Sequence, residues 1–330
     1  MNSSKESSYE ERRRKIKKVV ERVKEALNLS SKDYVVIEFP IRYKERSIDI
    51  VALDNEGHNM VIRIKPSITL SKEEIEDLVE ASLALDAIPL MVSEDENLYD
   101  NIVYEREGIY VLNERTLENI CLRPTELIAL YRKGDLYVSL NSKAFKELKT
   151  IKKYTLSDLS FRTGISRRTL FDYEREDSII SIDVAERLVE VLGEDVVKTI
   201  NLKIMRREFI RKISKIRTSK GRLSKLSILN RKLRMLIKDR NIESIHYLRK
   251  SAPDYIIKDE EKSFETIVDT TAKKYTLREV IKKIMETVKI TDLINGKTNV
   301  IVNRDRSKVL IDELSTQISI NKLDIMKINE

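Results

Sequence analysis

Between Lys203 and Arg240 the chain carries fifteen Lys or Arg against only Glu208 and Asp239, a local net charge of +13. The whole chain of 330 residues has a net charge of +8, so everything outside this stretch is mildly acidic. So one-sided a run repels itself, and a dense polyanion such as nucleic acid relieves that repulsion. Lys212, Lys215 and Arg217 are its expected phosphate contacts. A second cationic group follows Ser166, a residue with the side chain of a helix N-cap. Arg167, Arg168 and Thr169 would fill the first turn of that helix, with Phe171 and Asp172 on its outer face. Arginine can make two hydrogen bonds to guanine, worth ~1–3 kcal/mol of discrimination between bases.

Other chemistries have little material. Cys121 is the only cysteine and His58 and His246 are the only histidines, which leaves no thiolate or imidazole cluster for a metal. No Gly-rich phosphate loop is present, so neither a metal nor an organic cofactor is expected. No apolar run approaches the ~20 residues that cross a bilayer, and the N-terminus lacks a signal pattern, so a cytoplasmic, nucleoid-associated location is expected. Charged residues make up 36% of the chain, which suits an ion-paired surface.

The elements that must position these groups read clearly from periodicity. Residues 1–9 look frayed, and Ile16, Val19, Val20, Val23 and Leu27 mark one face of a helix beginning near Glu10. Tyr34–Phe39, Ser47–Leu53 and Met60–Ile64 read as strands, the last two joined by a turn at Asn55-Glu56-Gly57. Ser71 and Glu74 form a capping box that opens a helix to about Asp86. Pro89–Ser93 and Ile109–Leu112 read as strands, with a short helix at Glu96–Ile102 between them. The C-terminal third repeats this α-β-β-β-α-β order. A helix carrying Leu226, Leu229, Leu233, Leu236 and Ile237 precedes the strands His246–Leu248, Asp254–Ile257 and Phe264–Val268. Thr276 and Glu279 make a second capping box, and Asn299–Asn303 and Leu323–Ile328 answer the later strands. Asp49 to Ser71 and Asp254 to Thr276 are both 22 residues, the spacing of an internal duplication.

Between these units, residues 154–176 read YTLSDLSFRTGISRRTLFDYERE. Thr155 caps a first helix, Leu156 and Leu159 face inward, and Gly164 allows a left-handed reversal. Ile165 plugs the turn, Ser166 caps the second helix, and Leu170 returns to the core. Phe145 and Leu148 lie on a helix that closes the bundle, and a further helix runs from its cap Ser181 to Gly193. The segment resembles the helix-turn-helix of the Cro and cI repressor family, down to the closing pair Tyr173 and Glu174. That resemblance implies that the helix 166–175 enters the major groove of double-stranded DNA, that Arg175 contacts backbone, and that the protein is a homodimer. Two positions depart from the family. Leu156 replaces a phosphate-clamping Gln, and Glu176 replaces the usual Gly.

The N-terminal order resembles the PD-(D/E)XK nucleases, in which an Asp on the second strand and a Glu-x-Lys on the third bind magnesium. Asp49 and Lys65 match, but Arg63 stands where the Glu should be, and a guanidinium repels a divalent cation. The second unit offers Asp254 without a Glu-x-Lys. Both units are therefore expected to be non-catalytic, with Asp49, Arg63 and Lys65 as vestiges, unless Glu38 or Glu73 supplies the missing ligand. The whole arrangement is also similar to a family of archaeal proteins assigned as helix-turn-helix regulators.

The expected fold is α/β plus all-α, a helical Cro/cI-type bundle flanked by two nuclease-like units. Its parts are 1–122 (degenerate nuclease-like), 123–141 (a connector with a strand or hairpin), 142–202 (helix-turn-helix) and 203–330 (a basic helical segment leading into the second unit). The expected function is sequence-specific transcriptional regulation, with the α/β units open to a protein partner. An architectural or structure-selective DNA binder is the alternative, and an active metal-dependent nuclease a third.

Overall fold

The computed structural model describes residues 2–53, 59–123, 125–219, 242–261, 263–271, 275–317 and 323–328. The N-terminal unit runs α1 (Asn2–Leu29), β1 (Asp33–Val36), β2 (Ile50–Leu53), β3 (Met60–Lys65), α2 (Lys72–Ala84), β4 (Ile88–Ser93), β5 (Ile102–Arg106), β6 (Ile109–Leu112) and α3 (Glu114–Leu122). A hairpin of β7 (Ala129–Arg132) and β8 (Asp135–Leu140) leads to the bundle. The bundle comprises α4 (Ser142–Ile151), α5 (Leu156–Thr163), α6 (Arg167–Arg175), β9 (Ile179–Ser181), α7 (Ile182–Leu192) and β10 (Val197–Lys198). After α8 (Leu202–Ser219) come β11 (Ile242–Tyr247), β12 (Tyr255–Asp259), β13 (Phe264–Asp269), α9 (Leu277–Leu293), β14 (Lys297–Asn303), α10 (Arg304–Ser315) and β15 (Leu323–Ile328). The fold is thus a mixed α/β structure with a helical bundle.

The first sheet has ten strands in the order β1-β2-β3-β4-β6-β5-β7-β8-β10, with β9 also on β8. The second has five, in the order β11-β12-β13-β14-β15. In each unit two antiparallel pairings are followed by two parallel ones, from β1 to β6 and from β11 to β15. Nearly every residue of β2, β3 and β4 is buried, because helices cover both faces. Ile50, Met60, Ile62, Leu90 and Leu112 point to the layer of α1, α3 and α8, while Val51, Val61, Met91 and Val111 meet Leu78 and Ala81 of α2.

The capping boxes at Ser71 and Thr276 are both formed. Helix α1 begins at Asn2 rather than near Glu10, and no Gly or Pro interrupts the sequence before Pro40. Residues 96–102 are not a helix. Asp95 takes the Asn97 N–H on its own side chain (3.1 Å), and Asn101 adopts a left-handed φ of 61°, so local polar bonds replace the helical ladder. The chain enters β5 instead. Helices α3 and α10 were not legible from periodicity. The turn at Asn55-Glu56-Gly57 and the helix expected around Leu226–Ile237 lie outside the described residues.

The two α/β units pack against each other through a reciprocal arrangement. Asp77 of α2 accepts the backbone N–H groups of Arg249 (2.9 Å) and Lys250 (2.8 Å), just beyond β11. Glu286 of α9 likewise accepts those of Glu38 (3.0 Å) and Phe39 (2.8 Å), just beyond β1. Each unit therefore supplies a buried carboxylate for otherwise unsatisfied donors of the other, and Leu248, Ile256 and Ile290 join the N-terminal core. His246 and Glu80 meet across the same boundary (2.9 Å). Asp77→Ala should lower the unfolding free energy by ~1–3 kcal/mol in urea titrations, since it takes the acceptor from two part-buried backbone donors. A loss under about 0.5 kcal/mol would show that water replaces the carboxylate freely.

Candidate nucleic-acid interface

Local chemistry dictates the bundle. Thr155 and Asp158 form a capping box that starts α5. Gly164 ends that helix at φ 68°, and Arg187 of α7 donates to the Thr163 carbonyl beside it (3.0 Å). Ile165 is buried in the turn, and the Ser166 hydroxyl accepts the Thr169 N–H (3.1 Å) to open α6. Leu170 is fully buried with Phe145, Leu159 and Leu188. Ser181 stands at the N-cap of α7 without a side-chain capping bond, unlike the other caps of the bundle. A helix turns by about 100° per residue, so Arg168, Asp172 and Arg175 lie opposite Leu170, with Thr169 and Phe171 on the flanks. That face is exposed, apart from half-buried Thr169.

The residues expected to touch DNA are not equally free. Ser166 is held by Thr169, through both its N–H and its hydroxyl (2.9 Å). Arg167 turns back to donate to Ser157 of α5 (3.1 Å). Arg175 stacks over the Phe171 ring at 5.6 Å. Glu174 pairs with Lys149 of α4 (2.5 Å), fixing the closing Tyr-Glu pair to the bundle. Phe161, on the outer side of α5, is 92% exposed and was not singled out from sequence.

Asp177, directly after α6, is another residue that sequence reasoning missed. Its carboxylate accepts the Ser142 N–H (3.0 Å) and hydroxyl (2.9 Å) and pairs with Lys198 of β10. Its carbonyl accepts from Arg207 of α8 (2.5 Å). Burial alone would raise the Asp177 carboxyl, but Lys198 and Ser142 outweigh it and hold it below the usual aspartate range. The loop behind the expected recognition helix is thus bonded to three other elements. Those partners lie 21 to 35 residues away in sequence, out of reach of any local motif.

The basic run divides in two. Its first part forms α8, which lies on the N-terminal sheet through Leu202, Met205 and Phe209. There four of the cations are committed: Arg206 to Asp86, Arg207 to the Asp177 carbonyl, Arg211 to Glu208 (3.0 Å) and Lys212 to Glu105. Lys212, expected to contact phosphate, is therefore an internal ion-pair partner. Lys215 and Arg217 fall in the last turns of α8, but their side chains lie outside the described residues, as do residues 220–241.

The nuclease-like cluster carries its own cation. Fully buried Arg63 donates to Asp49 (2.7 Å), to Glu74 (3.3 Å) and to the Tyr43 carbonyl (3.1 Å), and its guanidinium lies 4.5 Å over the Tyr43 ring. Lys65 reaches the same Glu74 (3.1 Å), and the Ile64 N–H donates to Asp49 (2.7 Å). Burial would raise the Glu74 carboxyl, yet the Ser71 N–H, Lys65 and Arg63 together keep it below the ordinary glutamate range. The other two candidate ligands are held by the C-terminal unit, Glu38 by Lys282 (2.6 Å) and Glu73 by Lys250 (2.5 Å). These residues do not fit a divalent cation, because the two inner carboxylates already converge on a guanidinium. Among the described residues no group of three or more His, Cys, Asp or Glu could hold a metal. In the second unit Asp254 accepts the Asp269 N–H (2.8 Å) and pairs with Lys283 (2.5 Å), whose ammonium also lies over the Phe39 and Tyr275 rings. Burial pushes the Asp254 carboxyl up in spite of that lysine.

Comparison with known proteins places a PD-(D/E)XK superfamily domain over residues 16–126 and a helix-turn-helix domain over 145–198. A relative from Sulfolobus acidocaldarius, provisionally named an HTH-type transcriptional regulatory protein, is 28% identical over 311 residues, covering 92% of this chain and 97% of that protein. One of the same designation from Sulfurisphaera tokodaii is 33% identical over 180 residues, 54% of this chain and 58% of that protein. Another from Pyrococcus abyssi is 36% identical over 135 residues, 40% of this chain and 43% of that protein. No solved structure matches the chain significantly. The chain thus combines a nuclease-superfamily domain with a helix-turn-helix and is similar, over nearly its whole length, to such a regulator. No helix among the described residues is long and apolar enough to cross a membrane.

Arg63→Ala would leave buried Asp49 with only the more distant Arg46 (3.9 Å) and Glu74 with only Lys65 (3.1 Å), at a cost of ~3–5 kcal/mol near neutral pH. Because Glu74 titrates low in the folded state, its contribution is present above the ordinary carboxyl range and lost as pH falls through the folded value. The difference between parent and variant in urea denaturation should therefore shrink below pH ~4. A difference independent of pH would mean that Arg63 acts by packing alone.

Proposed function

We propose that this chain is a sequence-specific DNA-binding transcriptional regulator that reads the major groove with the helix 166–175. The observation that carries this reading is the outer face of α6, where exposed Arg168 and Asp172 stand opposite buried Leu170 on a helix fixed at both ends. Arg168 is the guanine-reading candidate, and Arg167, Thr169, Phe171 and Arg175 border it. In this reading 142–202 contacts DNA, 123–141 joins it to the first α/β unit, and 1–122 and 203–330 form the scaffold, in the cytoplasm on the nucleoid. Two recognition helices in a homodimer would suit a palindromic site with half-sites about one helical turn apart.

The α/β units are read as two copies of one ancestral domain with no enzymatic role. A single shift of 205 residues carries Asp49 onto Asp254, Ile64 onto Asp269 and Ser71 onto Thr276, and the bonds of those residues recur. Each acid is neutralised by a protein cation, which argues against metal-dependent cleavage.

An architectural role is the second reading, and the basic run favours it. Beyond Lys212 that run still holds ten Lys or Arg against Asp239. Such a segment gives salt-dependent affinity with little sequence preference.

Selection of genomic fragments by the purified full chain at two salt concentrations separates these readings. A recurring motif that survives the higher salt, and is lost in Arg168→Ala while nonspecific binding persists, is the expected result. Replacing Lys215 and Arg217 by alanine should weaken all binding and flatten the salt slope by roughly one for each phosphate no longer neutralised. Equal weakening on every sequence from Arg168→Ala would leave the architectural role standing, and cleavage of branched DNA with magnesium or manganese would reinstate a nuclease.

A further inference from the structure

Most charged side chains of α6 are already committed: Arg167 to Ser157, Glu174 to Lys149, and Arg175 to the face of Phe171. Arg168 and Asp172 are both exposed and, among the described residues, neither has a partner. They share the face directly opposite Leu170. An unpaired arginine suits a surface that meets a polyanion, but an unpaired carboxylate does not.

Helix stability does not account for Asp172. It lies in the last turn of α6, where an acid opposes the helix dipole. On DNA it repels each nearby phosphate, weakening binding to every sequence unless a base edge offers it a hydrogen. The major groove supplies such hydrogens only from exocyclic amines, cytosine N4 and adenine N6. Adenine presents its amine beside the N7 acceptor, a pair that matches an amide side chain and sets a lone pair against a carboxylate. Cytosine presents the donor alone.

On the reading of α6 as the recognition helix, we infer that Asp172 is a specificity-determining residue. It accepts from a cytosine amine near the guanine read by Arg168. Four residues of helix separate them, ~6 Å along the axis, or about two base-pair steps. The carboxylate acts mainly by exclusion. It lowers affinity for DNA at large and restores it only where the cytosine donor is in place.

The test uses the full-length chain, a duplex pool with a randomised core, and one fixed duplex lacking any enriched motif. The wild type should enrich a guanine with a cytosine within two steps. Asp172→Asn, an isosteric change at an exposed position, should shift that one column toward adenine and keep the guanine. Asp172→Ala should erase the column, a loss of roughly 5- to 150-fold in preference. Both variants should bind the fixed duplex about fivefold more tightly, since a repulsive charge is gone. An unchanged motif in both variants, or unchanged affinity for the fixed duplex, overturns the inference. If the wild type enriches no motif and Arg168→Ala binds all duplexes as it does, groove reading itself fails and takes this inference with it.

Discussion

Strand β8 is bonded along both edges, and the placement of the helix-turn-helix bundle depends on that fact. Tyr137 pairs with both Leu130 and Ser181, and Ser139 with both Ile179 and Lys198. The hairpin that ends the first α/β unit is therefore also the foundation of the helix-turn-helix. An unpaired strand edge costs free energy when buried and invites aggregation when exposed, so β9 and β10 bind where they do for a general reason. Ile200 donates to the Ile128 carbonyl (2.9 Å), and Ile128 to the Thr199 hydroxyl (3.0 Å), closing the junction. A bundle on a flexible tether would sample many orientations. This one is carried by a ten-stranded sheet.

Charge follows the same logic of internal satisfaction. Asp49 and Glu74 are buried carboxylates, and Arg63 sets a guanidinium between them from the third strand. In the second unit Lys283 supplies the cation from the following helix. The acids occupy matching places and the cations do not, so the constraint lies in the buried carboxylate rather than in its partner. Helix α8 shows the same economy, its apolar stripe on the sheet and its cations on Asp86, Glu105 and Glu208.

What the sequence disclosed and what it hid divide along the range of the interaction. Caps at Ser71, Thr155, Ser166 and Thr276, and the left-handed Gly164, each depend on residues within a few positions, and all were legible. Most strands of the two α/β units were legible from residue pattern, whereas β5, β7, β9 and β10 were not, and Arg63 was legible as a broken metal motif. Glu74 was recognised only as a capping residue, because its approach to Arg63 is set by how α2 crosses β3. The pairing of Lys212 was hidden because Glu105 lies 107 residues away, on a strand whose start was mistaken for a helix. Nothing in a run of cations tells which are bound to their own protein.

The reciprocal contacts between the α/β units also constrain how a second copy could join. Asp77 and Glu286 tie down the turns beyond β11 and β1 within one chain, beside buried Leu248, Ile256 and Ile290. That face is occupied and cannot serve as a dimer contact without unmaking the chain's own interface. On the bundle, Phe161 and Ile151 each leave a large apolar side chain exposed. The internal pairing of the two α/β units thus removes their shared face from any contact between chains.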